Sequence, residues 1–120
     1  MNFREYQTLA SRTMKDHESP REELSDYTLG LCGEAGEVAE SVKKHLYHGQ
    51  NRGRTEAMVE LGDVLWYLAA ICETMDCSLD QVARMNIAKL SGRHPGEGFS
   101  PEYHEKVGCQ SGDETCSVDR

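Results

Sequence analysis

The sequence lacks the patterns that build cross-linked or membrane-spanning proteins. Its five cysteines are odd in number and irregularly spaced, at positions 32, 72, 77, 109 and 116, and no Cys-x-x-Cys pair occurs. This pattern predicts neither a zinc site nor a full disulfide framework. Cys32 and Cys72 fall in helical patterns and are expected to be buried thiols. The longest apolar run has nine residues, Val64–Cys72, which is too short to cross a bilayer.

Acidic residues outnumber basic ones, 21 Asp and Glu to 13 Lys and Arg. The formal net charge is −8 and the pI is near 5.0, which argues against a nucleic-acid partner because binding a phosphate backbone needs a basic face. A free nucleotide remains possible, since a metal ion can supply positive charge locally. The first residues, Met-Asn-Phe-Arg-Glu-Tyr, contain no apolar signal segment. We therefore expect a cytoplasmic protein with no membrane partner.

No Lys or Arg occurs between Arg54 and Arg84, yet this stretch contains Glu60 and Asp63 at the head of the apolar run. Their spacing of three places both acids on one helix face. An uncompensated carboxylate there costs several kcal/mol, and a second like charge raises the cost. Glu34 and Glu37 form a similar pair earlier in the chain. The pattern favours a hard divalent cation, with Mg²⁺ the usual choice beside a phosphate substrate; the alternative is helix-surface acids paired with lysines elsewhere.

The chain length of 120 residues indicates one domain, and periodicity predicts four helices. An amphipathic helix covers residues 2–16, and Ser19-Pro20-Arg21-Glu22 starts a second that runs to about Leu46. A third spans about Thr55–Met75. A capping box at Ser78 starts a fourth that ends near Ser91. We expect an all-α, four-helix-bundle-type domain over residues 1–100 and an irregular tail over 101–120.

The second helix has an apolar seam with Glu34 at its edge and Glu37 further round, on the flank that also carries Lys44. The seam consists of Leu24, Tyr27, Leu31, Ala35, Val38, Val42 and Leu46. Three glycines, at positions 30, 33 and 36, each cost the helix about 1 kcal/mol relative to alanine. Either close approach of a helix or ligand, or a kink, would explain them.

The third helix is apolar on most of its sides, so it must be buried on most sides. In a chain this small, that predicts burial against another subunit and hence an obligate oligomer. Tyr67 lies one turn beyond Asp63 and can either face the site or pack. On the fourth helix, Asn86, Lys89 and Arg93 share one face, which suits an anionic ligand, although a solvated basic face is the alternative.

Taken together, these stretches resemble the MazG-like all-α nucleoside triphosphate pyrophosphohydrolases. The likeness runs from about Tyr6 to Ser100 and is carried by Gly30–Glu40, Lys44–Gly49, Glu60–Leu68 and Asn86–Leu90 with Arg93 and Gly98-Phe99-Ser100. It implies an Mg²⁺-dependent enzyme, with Mn²⁺ as a substitute, that converts a nucleoside triphosphate into the monophosphate and pyrophosphate in cleansing or adjusting the nucleotide pool. It also implies a homodimer or homotetramer.

The resemblance further implies roles for individual residues. Glu34, Glu37, Glu60 and Asp63 would hold the metal, while Asn86, Lys89 and Arg93 would contact phosphates. Lys44 and Tyr67 are further candidates for substrate binding. Many members have two adjacent acids where Gly33 precedes Glu34 here, which leaves the general base open between Glu37, which we favour, and Glu40. The alternatives are a narrow dUTP, dCTP or phosphoribosyl-ATP pyrophosphatase, and a non-catalytic metal-binding helical assembly module.

Overall fold

The computed structural model describes residues 1–47 and 53–93 of the chain. Within these ranges it contains four helices and no strand: α1 (Phe3–Ser11), α2 (Pro20–Tyr47), α3 (Gly53–Thr74) and α4 (Leu79–Arg93). The prediction of an all-α protein is confirmed. Backbone contacts divide the chain into two compact units, Met1–Asp80 and Gln81–Arg120. The expected tail, 101–120, lies outside the described residues.

Helix α1 begins at a capping box and is shorter than predicted. The Asn2 side chain accepts a hydrogen bond from the Glu5 amide, and the Glu5 carboxylate accepts one from the Asn2 amide. The helix ends at Ser11, not at residue 16. Beyond its end, the Thr13 hydroxyl accepts a hydrogen bond of 2.7 Å from Trp66 Nε1 on α3. This tertiary bond holds the chain outside the helical path that its periodicity predicts.

Helices α2 and α3 form an antiparallel pair that approaches closely at both ends. A Cβ atom on Gly30 would overlap the ring of Tyr67, and one on Gly53 would lie 2.6 Å from His45 Cβ. Between these contacts, Ser41 and Ala57 are buried. Because these small residues line the contact, the two backbones can come close together. Of the two explanations for Gly30, close approach is the one that the structure supports.

An aromatic cluster lies at the end of this helix pair where Tyr67 meets Gly30. Tyr27 is 1% exposed and lies in edge-to-face contact with Trp66 and His17, at centroid distances of 5.6 and 5.2 Å. Tyr67 stacks edge-on against Trp66 at 4.9 Å. Such pairs add about 0.5–1.5 kcal/mol each to the apolar area they bury, so the cluster fixes how α3 rotates against α2.

Helix α1 is held against α3 by a small core and one buried amide. The core consists of Ala10, Ala69, Cys72 and Leu79, with Tyr6, Leu65, Trp66 and Cys77 packed against it. The Gln7 amide donates to Glu73 Oε2 and to the Cys77 carbonyl at 2.9 and 3.0 Å, and its oxygen accepts from the Leu79 amide at 2.8 Å. Gln7 therefore ties α1 to the connection that follows α3.

Two predictions about burial are wrong. Cys32 is exposed, because the face of α2 that meets α3 carries Tyr27, Gly30 and Ser41 and not Cys32. The predicted α2 seam fails in its second half, where Val42 and Leu46 are exposed. In this half the small side chain of Ser41 takes the buried position. None of the helices in the described ranges has the length and apolarity needed to cross a membrane.

Candidate metal centre

Three carboxylates from two helices meet near the middle of the α2–α3 pair. Glu34 and Glu37 of α2 and Glu60 of α3 each offer one oxygen, and these oxygens lie within 4.8 Å of one another. We call these three residues the acidic cluster. Three of the four predicted acids therefore come together across the helix contact, and Asp63 is not part of this group.

The register of the two helices explains the meeting. The end contacts join Gly30 to Tyr67 and His45 to Gly53, so the paired residue numbers add to 97 and 98. The same register places Glu37 level with Glu60, and Glu34 level with Asp63. Since each turn of an α-helix advances 3.6 residues, the glutamates one turn apart on α2 face two successive turns of α3. The close approach at both ends thus sets the position of the carboxylates between them.

The electrostatics of the site are unfavourable to bare carboxylates. Partial burial and then the charges of Asp63, Glu37 and Glu60 raise the pKa of Glu34 above its ordinary value. Among the described residues of the first unit, 1–47 and 53–80, no Lys or Arg nitrogen lies within 4 Å of Glu34, Glu37, Glu60 or Asp63. The four acids are more exposed to solvent than the sequence predicted: Glu37 and Asp63 are exposed, and Glu34 and Glu60 are half-buried.

The donor set fits a hard divalent cation. Carboxylate oxygens are the protein ligands that Mg²⁺ and Mn²⁺ prefer, and Mg²⁺ with bonds of about 2.1 Å spans about 4.2 Å between opposite ligands. Adjacent ligands of such an ion are about 3.0 Å apart, so the three oxygens, within 4.8 Å of one another, would have to draw closer around it. The set contains neither sulfur nor imidazole, which zinc sites usually include.

Two of the predicted substrate-binding residues have structural partners. Lys44 Nζ lies 3.1 Å from Glu40 Oε1, and this hydrogen bond is the largest of the causes that raise the pKa of Lys44. Glu40 thus faces Lys44 and is not among the acids that meet. Tyr67 packs over Gly30, one turn along α3 from Asp63. Both residues keep their predicted role in substrate binding as a prediction only.

The helix-four residues are exposed and lie in the second unit. Asn86, Lys89 and Arg93 belong to α4 after residue 80, so their role toward phosphates also stays a prediction. Tyr6, by contrast, lies in the first unit beside the site. Burial and then the charge of Asp63 raise the pKa of its phenol. The only sequence signal for Tyr6 was its place on the apolar face of α1, which does not distinguish a core residue from a site neighbour.

Comparison with known proteins adds independent information. A family model described as the MazG nucleotide pyrophosphohydrolase domain matches residues 16–97. The chain is also similar to the Gene 37 protein of Mycobacterium phage L5, with 42% identity over 76 residues, which cover 60% of this chain and 67% of the phage protein. No solved structure matches. The matched range contains all four acids and all of α2 and α3.

Proposed function

Since this chain belongs to the MazG nucleotide pyrophosphohydrolase family, we propose that it hydrolyses a nucleoside triphosphate to the monophosphate and pyrophosphate in an Mg²⁺-dependent reaction. The observation that carries the proposal is the acidic cluster, whose oxygens from α2 and α3 lie within 4.8 Å. No cationic side chain among the described residues up to Asp80 lies within 4 Å of it. Carboxylates gathered in this way are costly unless a cation binds between them.

The residues of the acidic cluster would have two roles, metal binding and proton transfer. Glu34, Glu37 and Glu60, with Asp63 one turn along α3, would hold the metal, which when bound neutralises phosphate charge and polarises the attacking water. Glu37 is the exposed member of the cluster, so it can contact a water from solvent and accept its proton as that water adds to the α-phosphorus. The bond between the α-phosphorus and the bridging oxygen breaks, and pyrophosphate leaves.

Cationic and hydrogen-bond-donating side chains outside the acidic cluster would bind the anionic part of the substrate. We assign the phosphates to Asn86 and Lys89, with Arg93 beside them, because these donors share one face of α4. Lys44 and Tyr67 are further candidates. To reach a phosphate, Lys44 must break its ion pair with Glu40. Tyr67 must contact the phosphate from its packed position on Gly30.

An oligomer is part of the same proposal. Leu61 and Leu68 of α3 and Met75, which directly follows the helix, recur every seven residues, and all three are exposed. Seven residues make nearly two turns, so these side chains form one stripe that a second copy of the chain can cover. We propose a homodimer or homotetramer that buries this stripe, which we call the α3 stripe.

The test is a panel of nucleoside triphosphates assayed with Mg²⁺ and with Mn²⁺, with separate detection of pyrophosphate and inorganic phosphate. The panel includes dUTP, dCTP, phosphoribosyl-ATP and triphosphates with oxidised or methylated bases. We expect pyrophosphate to be released from at least one of them. In ¹⁸O-labelled water the label should enter the monophosphate, because the attack is at the α-phosphorus.

Release of inorganic phosphate as the first product, or ¹⁸O in the pyrophosphate, would contradict the proposed cleavage. A different outcome would favour a non-catalytic assembly module: no hydrolysis of any nucleotide, with metal binding and oligomerisation intact. Cleavage confined to dUTP, dCTP or phosphoribosyl-ATP would instead identify a narrow pyrophosphatase with the same chemistry.

A further inference from the structure

Two cysteines meet where α3 ends, away from the acidic cluster. The Asp76 amide donates to the Glu73 carbonyl at 3.1 Å, and the Cys77 amide donates to the Cys72 carbonyl at 2.9 Å. Asp76 has a φ of 54°, the left-handed conformation that completes this helix-capping motif. The motif usually brings its first and last side chains into contact, and here those side chains belong to Cys72 and Cys77.

The surroundings of the pair keep the two sulfurs together. Cys72 is buried in the core, and the half-buried Cys77 packs against that core. The Gln7 amide, 3.0 Å from the Cys77 carbonyl, holds the connection in place from α1. Burial, and then the hydrogen bond with the Cys77 thiol, raises the pKa of Cys72 to about 11, so Cys72 is a protonated thiol near neutral pH.

We propose that Cys72 and Cys77 are a thiol oxidation site that forms a reversible intramolecular disulfide and locks the cap of α3. The oxidant is a small-molecule disulfide such as oxidised glutathione. The more accessible Cys77, as thiolate, attacks one sulfur of the oxidant and releases one glutathione thiol. Cys72 then loses its proton and attacks the Cys77 sulfur, which releases the second. Two protein thiols are oxidised, and one oxidant is reduced to two thiols.

The site is separate from the proposed chemistry. Cys72 follows Asp63 by nine residues, about 13 Å along the axis of α3 at 1.5 Å per residue. A disulfide at this end fixes the cap and the start of α4 without touching a carboxylate of the acidic cluster. The disulfide can therefore form whether or not the chain hydrolyses a nucleotide.

The test uses the full chain in buffers of oxidised and reduced glutathione, followed by acid quenching, alkylation and digestion with trypsin. The gap in Lys and Arg between Arg54 and Arg84 puts both cysteines on one peptide, residues 55–84. Cys32 falls on the peptide 22–43, and Cys109 and Cys116 fall on 107–120. We expect peptide 55–84 to be lighter by two hydrogen atoms and to resist alkylation.

The folded structure should make this disulfide easier to form than it is in the unfolded chain. We expect half-oxidation of peptide 55–84 in native protein at a ratio of oxidised to reduced glutathione at least about tenfold lower than in urea. Cys77→Ser should abolish the lighter peptide, whereas Cys32→Ser, which alters an exposed thiol on α2, should leave it unchanged. The oxidised protein should also melt at a higher temperature than the reduced protein.

Three results would overturn the proposal. One is glutathione or alkyl groups on Cys72 and Cys77 in fully oxidising buffer. Another is a cross-link between peptides 55–84 and 107–120 in place of the internal bond. The third is an equal response to the glutathione ratio in native buffer and in urea, since that would mean that the cap does not bring the thiols together.

Discussion

At the scale of single residues, the carboxylates at the helix contact carry the proposed chemistry. Glu60→Gln and Asp63→Asn should each lower kcat by at least about 100-fold, because charge stabilisation by a metal is worth several kcal/mol. Both variants should remain folded by circular dichroism. Glu40→Gln is the matched control: it removes an exposed acid of α2 that pairs with Lys44, and it should retain activity. Full activity in both site variants would remove the metal assignment.

Glu34 offers a second readout that does not depend on turnover. Its pKa in the folded chain is raised by burial and by Asp63, Glu37 and Glu60, so its ionised form opposes folding, and stability falls as pH rises through that pKa. Glu34→Gln should therefore melt at a higher temperature than wild type in EDTA near neutral pH. It should also lose much of the rise in melting temperature that Mg²⁺ produces in wild type.

The opposite ordering in EDTA, with Glu34→Gln melting below wild type, would mean that the carboxylates do not repel one another in the metal-free protein. Glu40→Gln is again the control, since the loss of its ion pair with Lys44 should give no stabilisation in EDTA. An unchanged response of Glu34→Gln to Mg²⁺ would place the ion elsewhere.

His17 connects the segment between α1 and α2 to the body of the chain. Its Nε2 lies 3.0 Å from Asp26 Oδ2 and its Nδ1 lies 3.0 Å from the Lys15 carbonyl, so the doubly protonated ring can donate to both. The hydrogen bond to Asp26 is the largest cause that raises the pKa of His17. The stabilisation is present below the unfolded pKa and is lost as pH rises through the folded pKa.

Urea unfolding from about pH 5.5 to about pH 8.5 should show this loss in wild type and much less of it in His17→Gln. Titration of the ring by NMR should give a pKa above that of an unfolded histidine. A folded-state pKa at or below the unfolded value would show that Asp26 does not pair with His17 in solution.

At the scale of elements, the small residues between α2 and α3 decide how closely the helices approach. Gly30→Ala should destabilise the fold by about 1–3 kcal/mol, because the added methyl group overlaps Tyr67 and that ring is held by Trp66 at 4.9 Å. Gly33→Ala is the control on the same helix. It meets no atom within 4 Å and should stabilise by about 0.5–1 kcal/mol through helix propensity.

Unfolding in urea measures both variants. Equal stability of Gly30→Ala and Gly33→Ala would mean that Tyr67 does not rest on Gly30, and the register that places Glu34 opposite Asp63 would lose its main support. The comparison thus tests the geometry of the site without an activity assay.

At the scale of the whole molecule, the apolar surface of a single chain is large. Leu61, Leu68 and Met75 of the α3 stripe are 53%, 39% and 60% exposed. Burying each is worth about 1.5–3 kcal/mol. Leu68→Lys should therefore weaken the homo-oligomer by at least about tenfold in Kd, since about 1.4 kcal/mol is a factor of ten. Light scattering over a dilution series measures the change.

Val59→Lys is the control for that experiment. Val59 is 59% exposed and, at 100° per residue, lies on another side of α3 from the α3 stripe, so the oligomer should survive the change. A wild-type chain that is monomeric at every concentration would contradict the proposed assembly.

Much of the fold followed from local pattern. The starts of α2 and α4, the all-α class and the length of α3 were predictable because capping boxes and apolar spacing act within a few residues. The end of α1 was not, because the hydrogen bond from Trp66 to Thr13 joins residues 53 positions apart. Likewise the exposure of Cys32 and the burial of Ser41 depend on which face of α2 packs against α3. The number of apolar residues alone does not specify that face.

The sequence by itself determined the class of fold, the two acid pairs and the family to which they point, because these depend on residue type and short-range spacing. Only the tertiary structure decided that the carboxylates of Glu34, Glu37 and Glu60 lie close together. That outcome depends on the antiparallel register set by Gly30 against Tyr67 and Gly53 against His45. The tertiary structure also showed that the acids are partly exposed to solvent, and that Cys72 and Cys77 meet at a helix cap. The spacing of residues within one segment does not reveal which distant segment it contacts.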